Sequence, residues 1–177
     1  MIAAIDRPTL STARLTLRPT TLGDAPRIAE LANDYDVVKT TGGMPFPYRL
    51  ADAEAYLARR RAADPAREAL FAIDLHGEGL VGLLGFQPTG ELAPEVGYWL
   101  GKAYWGRGIA SEALAAAVAW AGEAWRRRCL LACHHLDNPA SGRVLARAGF
   151  LYTGRVEMKP CRARGEDAPC RWMAWIA

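Results

Sequence analysis

The chain reads as an α/β fold: a mixed, mostly antiparallel sheet of about six to seven strands with about four helices. Three observations predict it. Between residues 68 and 100 three apolar, strand-like segments follow one another across short turns, the order of an antiparallel meander. From residue 95 the order changes to strand, long helix, strand, and a strand that follows a helix in this way returns parallel through one right-handed crossover. The chain then closes on two further strand-like segments, residues 151–158 and 170–176, around a charged loop. Its 177 residues show no internal repeat and no linker, a length that fits one domain over residues 1–177.

Taken in order, residues 14–19 alternate Leu15 and Leu17 with polar neighbours and stop at a proline, the period of a half-buried strand. Leu22, Ala25, Ile28, Ala29 and Ala32 fall at helical spacing with Asp24 near the start, which predicts a short helix over 22–33. Residues 34–50, with Gly42, Gly43, Pro45 and Pro47, read as a loop that also carries Met44, Phe46 and Tyr48. Apolar residues in such a loop either tuck beneath it or line a binding site. Residues 51–63 are helical by propensity, with Ala55, Leu57 and Ala58 as the inner side and Arg59, Arg60 and Arg61 as a solvated end.

Residues 68–75 and 80–86 pair across the turn 76–79, where His76 is a turn residue, and residues 92–100 form the third strand of the meander. From Arg107 a helix places Ala110, Leu114, Ala117, Val118, Ala121 and Trp125 on one face. Arg126, Arg127 and Arg128 follow at its C-terminal end, where cations complement the helix dipole. Residues 129–136 are a mostly apolar strand ending in His134 and His135. Asn138 and Pro139 start the last helix, a capping side chain followed by proline at the first helical position, and Gly149 closes it.

With 51% hydrophobic and 23% charged residues, the composition argues against disordered and membrane classes. A formal charge of +3 suits an anionic ligand but lacks the clustered basic stripe of a nucleic-acid binder, so no nucleic-acid partner is expected. The opening MIAAIDRPTL has no basic segment ahead of a long apolar core, and no apolar run of spanning length follows. The expectation is a cytoplasmic protein without a membrane partner. Cys129, Cys133, Cys161 and Cys170 read as free thiols in a reducing compartment rather than a disulfide scaffold.

The chain is organised around EVGYWLGKAYWGRGIASEALAAAVAWAGE, residues 95–123: a strand ending in aromatics, a Gly-Arg-Gly turn, and a long helix with no acid before Glu112. A helix N-terminus exposes unpaired N–H groups and about half a positive charge, and a glycine-rich entry lets a phosphate come close to them. The reading from residues alone is a diphosphate loop at Trp105, Gly106, Arg107, Gly108, Ile109, Ala110 and Ser111. As a dinucleotide fingerprint it would put Ser111 at the third glycine and Asp137 on a ribose, but that fingerprint belongs in a doubly wound parallel sheet, and here it follows a meander. A nucleoside-triphosphate loop is excluded, since no Gly-Lys-Ser or Gly-Lys-Thr follows. Cys129, Cys133, His134 and His135 offer metal-ligating atoms, but Cys133 and His134 point to opposite faces of a strand, so no metal site is expected.

With its flanks, the loop resembles the GNAT acyl-CoA N-acyltransferase superfamily, in its branch related to ribosomal-protein N-terminal acetyltransferases. The resemblance rests on Gly108 and Ala110 of the pyrophosphate loop, on Glu95-x-Gly97-Tyr98-Trp99-Leu100, on Tyr104-Trp105-Gly106-Arg107-Gly108, on Asn138-x-x-Ser141, and on Gly149-Phe150, in that order. It is strongest over residues 95–150. It implies helices on both faces of the sheet, central strands that splay at the crossover, and acetyl-CoA as co-substrate without a metal. The backbone of residues 107–111 would hold the pyrophosphate, and the strand edge at Tyr98, Trp99 and Leu100 the pantetheine amides. Asn138, an N-cap on any reading, would add a contact on the cofactor side.

The reaction so implied moves an acetyl group to a primary amine by direct attack, on a peptide N-terminus or a small molecule. It needs a neutral amine, a stabilised oxyanion and a proton for the thiolate. Glu95 is the candidate base and Ser141 the candidate donor to the thiolate. Many relatives carry a tyrosine before the Gly-Phe pair where this chain has Leu145, and the acid after that pair is missing, with Glu157 on the next strand as its alternative. A CoA-binding sensor and, less in keeping with the strand order, an NAD(P)-binding protein remain the competing readings. Either a monomer or a homodimer is compatible with the sequence.

Overall fold

The computed structural model describes residues 8–90 and 93–177. Among these, eight strands form one sheet: β1 (Leu10–Ser11), β2 (Leu15–Pro19), β3 (Ala69–Leu75), β4 (Gly79–Pro88), β5 (Pro94–Leu100), β6 (Cys129–His135), β7 (Leu151–Cys161) and β8 (Glu166–Ile176). They lie in the order β1-β2-β3-β4-β5-β6-β8-β7. Every neighbouring pair is antiparallel except β5 and β6, joined through the helix between them, so the predicted single parallel crossover is present. The count exceeds the predicted six to seven because β1, two residues long, pairs with β2 and carries too little periodicity to be seen in the sequence. Leu92, the expected start of the third meander strand, and the opening segment 1–7 lie outside the described residues.

The helices are α1 (Ala25–Ala32), entered through a 3-10 turn at Leu22–Asp24, α2 (Tyr35–Val38), α3 (Leu50–Arg61), α4 (Ile109–Glu123) and α5 (Pro139–Arg147). They cover both faces. On one, α4 and α5 bury Ile109, Leu114, Ala117, Val118 and Leu145 against Phe71, Ile73, Leu84, Val96, Leu130 and Met173. On the other, α1 and α3 bury Ile28, Ala32, Ala53 and Leu57 against Leu70, Ala72 and Leu83. Full burial of a side chain of this size contributes about 1.5–3 kcal/mol, so the two layers, rather than helix propensity, hold the sheet sandwiched. No described helix is long and apolar enough to cross a membrane.

Four sequence readings change. The loop 34–50 contains α2, a single turn capped by the Asp34 side chain accepting from the Asp36 N–H. The inner stripe of α3 is Ala53, Leu57 and Arg60, while Ala55 and Ala58 face solvent. Arg60 is therefore not a solvated end: it is 3% exposed, pairs with Glu68, and donates to the carbonyls of Ala69 (2.7 Å) and Phe86 (2.9 Å). A guanidinium has five donors, and two strand carbonyls plus a carboxylate make its burial tolerable. Finally, the last two strands run on to Cys161 and back from Glu166. The charged loop shrinks to a tight turn, because Lys159 and Cys161 both have inward partners that extend the strand.

Candidate functional site

β5 and β6 are in register only at Glu95↔Leu131. β4 stays paired with β5 from Pro88↔Pro94 to Gly82↔Leu100, and β8 with β6 over all of β6. The central strands therefore diverge beyond Glu95, leaving the edge of β5 turned towards a gap. The gap opens into a cleft of about 1380 Å³. Glu95, Tyr98, Trp99, Leu100, Trp105, Gly106, Gly108, Ile109, Ala110, Ser111, Asn138 and Ser141 all line it. Of the loop residues singled out from sequence, Arg107 does not: its guanidinium turns to Glu78 at 2.8 Å.

One end of the cleft is the start of α4. Gly108 caps it at φ +75°, a left-handed conformation that costs an L side chain strain. The helix ladder begins with the Glu112 N–H on the Gly108 carbonyl (3.1 Å), so the N–H groups of Ile109, Ala110 and Ser111 are the open first-turn donors. A Cβ at Gly106 would meet nothing within 4 Å, and one at Gly108 only the Arg14 guanidinium at 3.5 Å, so both glycines leave room above the backbone. These donors and that clearance fit a pyrophosphate. Glu112 is the acid in the first turn of α4. Its carboxylate accepts from Thr12 Oγ1 (2.6 Å), the Arg14 N–H (3.0 Å) and Arg14 Nε (2.7 Å), and Arg14 Nη1 also takes the Arg107 carbonyl at 3.0 Å. Arg14 thus offsets the charge of the first-turn acid, which would repel a phosphate; its role was invisible in a strand-start arginine 98 residues away.

Side-chain alternation along β5 divides the rest of the site between two faces. Val96, Tyr98 and Leu100 belong to the α4 side, and Trp99 packs with the α1–α3 cluster. On the α4–α5 side the Tyr98 hydroxyl lies 3.0 Å from Ser141 Oγ and donates to the Ser141 carbonyl at 3.1 Å. Asn138 Oδ1 accepts from the Ser141 N–H at 3.3 Å, fixing the start of α5. Burial pushes the Tyr98 phenol up to about 12, so it is a neutral donor at pH 7. Leu145, at 1% exposure, is a core residue and carries no proton.

On the opposite face Glu95 is 8% exposed and both its oxygens accept from Lys159 Nζ, at 3.1 and 3.2 Å. The Cys133 thiol donates to Glu95 Oε1 at 3.2 Å, while His134 on the reverse face meets Tyr152 at 3.1 Å. Burial and the Glu95 carboxylate push the Cys133 thiol up, so it stays protonated. Burial works against the Lys159 ammonium, but Glu95 and Cys133 together outweigh it and hold the lysine above its ordinary value. The ammonium also rests 4.5 Å from the Trp172 ring. Glu157 accepts from Trp172 Nε1 at 2.9 Å and does not line the cleft. Lys159 was missed because the stretch around it reads as a charged loop; strand alternation carried through residue 161 was the only signal for it.

The far wall is formed by Lys39, Thr40, Gly42, Met44, Pro45 and Tyr48 of the loop after α2. The β7–β8 turn clamps this loop: the Arg162 N–H donates to the Gly42 carbonyl (3.0 Å), Cys161 Sγ to that of Thr41 (3.2 Å) and Arg164 Nε to that of Lys39 (2.8 Å). Arg164 also grips Asp137 at 2.8 and 3.0 Å and meets His135 Nδ1 at 3.2 Å. Burial, then the adjacent Arg164 charge, hold the His135 pKa below its usual value. Because the folded value is depressed, the unfolded chain binds the proton first. The contribution of a neutral His135 is complete above its usual value of about 6.5 and is lost as pH falls through the folded one. Thermal unfolding should therefore show Tm falling as pH drops below about 6.5, with a shallower slope in His135→Gln. An unchanged slope in the variant would remove His135 from this account.

Comparison with known proteins bears on the same cleft. Residues 14–151 match the acetyltransferase (GNAT) domain model. Over 81 residues the chain is 40% identical to the ribosomal-protein-serine acetyltransferase of Escherichia coli, an alignment covering 42% of this chain and 43% of that relative, under half of its length. Two solved structures share the fold: Mycobacterium smegmatis RimJ in complex with CoA-disulfide, at TM-score 0.85 and 24% identity over 98% of this chain and 89% of that one, and RimL, a ribosomal L7/L12 α-N-protein acetyltransferase in complex with coenzyme A, at TM-score 0.83 and 19% identity over 96% and 98%. With the family model covering β2 to β6, the crossover and both cleft-lining helix starts, the chain belongs to the GNAT acetyltransferase family.

Proposed function

We propose that the chain, as one catalytic unit, transfers the acetyl group of acetyl-CoA to a primary amine by direct attack. The observation that carries this is the split between β5 and β6: an anion-binding helix start at one end, with Glu95 on one face of the split and the Tyr98–Ser141 pair on the other. Acetyl-CoA supplies the activated acyl group as a thioester. The first turn of α4, with Gly106 and Gly108, would hold its pyrophosphate, and the free edge of β5 at Tyr98, Trp99 and Leu100 its amides, beside Asn138.

Glu95 faces the side from which an amine enters under the loop of Met44 and Tyr48, and Lys159 keeps its carboxylate aimed. An α-amine has a pKa near 8, so little help from the Glu95 carboxylate, acting directly or through a water, is needed. Ser141 sits across the split as the proton donor to the departing thiolate, with the neutral Tyr98 phenol 3.0 Å from its Oγ. Two of the relatives are named as ribosomal-protein acetyltransferases, which supports a protein N-terminal α-amine as acceptor; a small-molecule amine fits the same chemistry.

Thermal-shift and thiol-release measurements test this together. Acetyl-CoA should raise Tm where NAD and NADP do not, and thiol should appear when an amine acceptor is added. Stabilisation without thiol release from any acceptor would leave a CoA sensor. Ser141→Ala is expected to lower kcat about 20-fold, less than loss of a sole proton donor would, because Tyr98 remains nearby. KM for acetyl-CoA should hardly move, and full turnover in Ser141→Ala would remove that serine from the reaction.

A further inference from the structure

Three glycines in the central strands of the sheet differ in what keeps them small. A Cβ at Gly82 would lie 2.2 Å from the Trp99 carbonyl, and one at Gly85 would press on Arg60 and Leu70 at 3.1 Å, so packing demands glycine at both. Gly97, the cross-strand partner of Gly85, is under no such demand. A Cβ there would meet nothing within 4 Å, and its φ is outside the left-handed range that selects glycine. Yet a glycine inside a strand forfeits ordering and side-chain packing, and where neither turn nor crowding accounts for it, it marks a place where a ligand approaches the backbone.

Gly97 is exposed, between the buried Val96 and the half-buried Tyr98, and lines the cleft. It lies on the face of β5 that carries Glu95 and Trp99, one same-face repeat, about 6.6 Å, from each. The carboxylate, the bare backbone and the indole therefore line up along one groove. An amine hydrogen-bonded at Glu95 puts the carbon that bears it, and that carbon's first substituent, over Gly97, with Trp99 closing the far side.

Building on the acetyltransfer reading above, we propose that Gly97 is the specificity-determining floor of the acceptor slot and limits the size of the group on the carbon bearing the attacking amine. The acceptor class is then a primary amine with at most a small substituent at that carbon. Thiol release is measured with glycinamide, alaninamide, leucinamide and phenylalaninamide for the wild type, Gly97→Ala and Gly97→Leu, alongside Tm with and without acetyl-CoA.

The wild type should favour the small amides. Gly97→Ala should raise Tm by about 2 °C, since strand propensity improves without a clash, while losing turnover about 10-fold more on leucinamide than on glycinamide. Gly97→Leu should lose more than about 100-fold on every amide, yet keep the Tm rise caused by acetyl-CoA. Wild-type rates in Gly97→Leu, or joint loss of turnover and of acetyl-CoA stabilisation, would overturn the acceptor slot while leaving acetyltransfer standing. Silence of the wild type towards all four amides would overturn both.

Discussion

Glu95→Gln is expected to lower kcat by about 10³-fold while leaving acetyl-CoA stabilisation in place, because the base is lost and the α4 start is untouched. The same substitution strands the Lys159 ammonium. Glu95 and Lys159 have side-chain exposures of 11% and 29%, so the pair is mostly shielded, and removing one partner leaves a poorly solvated charge. Discounted for that residual exposure, the cost should be about 2 kcal/mol, or a Tm lower by about 6 °C. Loss of stability and loss of chemistry are separable in Glu95→Gln/Lys159→Met, which removes both charges. Thermal unfolding of the double variant should recover most of the Tm, while steady-state thiol release stays as low as in the single variant. Recovery of turnover in the double variant would mean that Glu95 organises the site without taking a proton.

Gly108→Val should strike the other end of the cleft. Valine at φ +75° is strained by about 1–2 kcal/mol, and its branched side chain fills space above the first-turn N–H groups where an anion must come close. KM for acetyl-CoA should rise about 10²-fold, and the Tm increase caused by acetyl-CoA should disappear, with acceptor KM little altered. Gly90→Val is the control: Gly90 also has a positive φ, +59°, but does not line the cleft, so it should lose stability and keep its KM. If the two valine variants behaved alike towards acetyl-CoA, backbone strain rather than a phosphate seat would explain Gly108.

These two substitutions also differ in how far the sequence alone foretells them. The seat at Gly108 is local: strand, turn, glycine and helix start follow within about 15 residues, and caps, φ preferences and apolar periodicity act over that range. The same holds for the Asn138 cap, whose partner Ser141 is three residues on. For that reason most of the order of strands and helices, the lone parallel crossover and the glycine-rich start of α4 were legible, and Glu95 stood out as a candidate by its position in the motif.

What tertiary structure decided is which distant side chains meet. Lys159 reaches Glu95 across 64 residues and Tyr98 reaches Ser141 across 43, and both contacts depend on strand register, in which a slip of one residue sends a side chain to the other face. Arg60 looked like a solvated helix end until two strand carbonyls and Glu68 enclosed it, and Arg14 looked like an ordinary strand start until α4 brought Glu112 to it. Sequence by itself determined the chain's local conformations and its glycine-rich entry into α4, because backbone preferences act between neighbours. The paired charges and the two-sided split between β5 and β6 came from packing, because only the assembled sheet sets the distances over which charges and hydrogen bonds act.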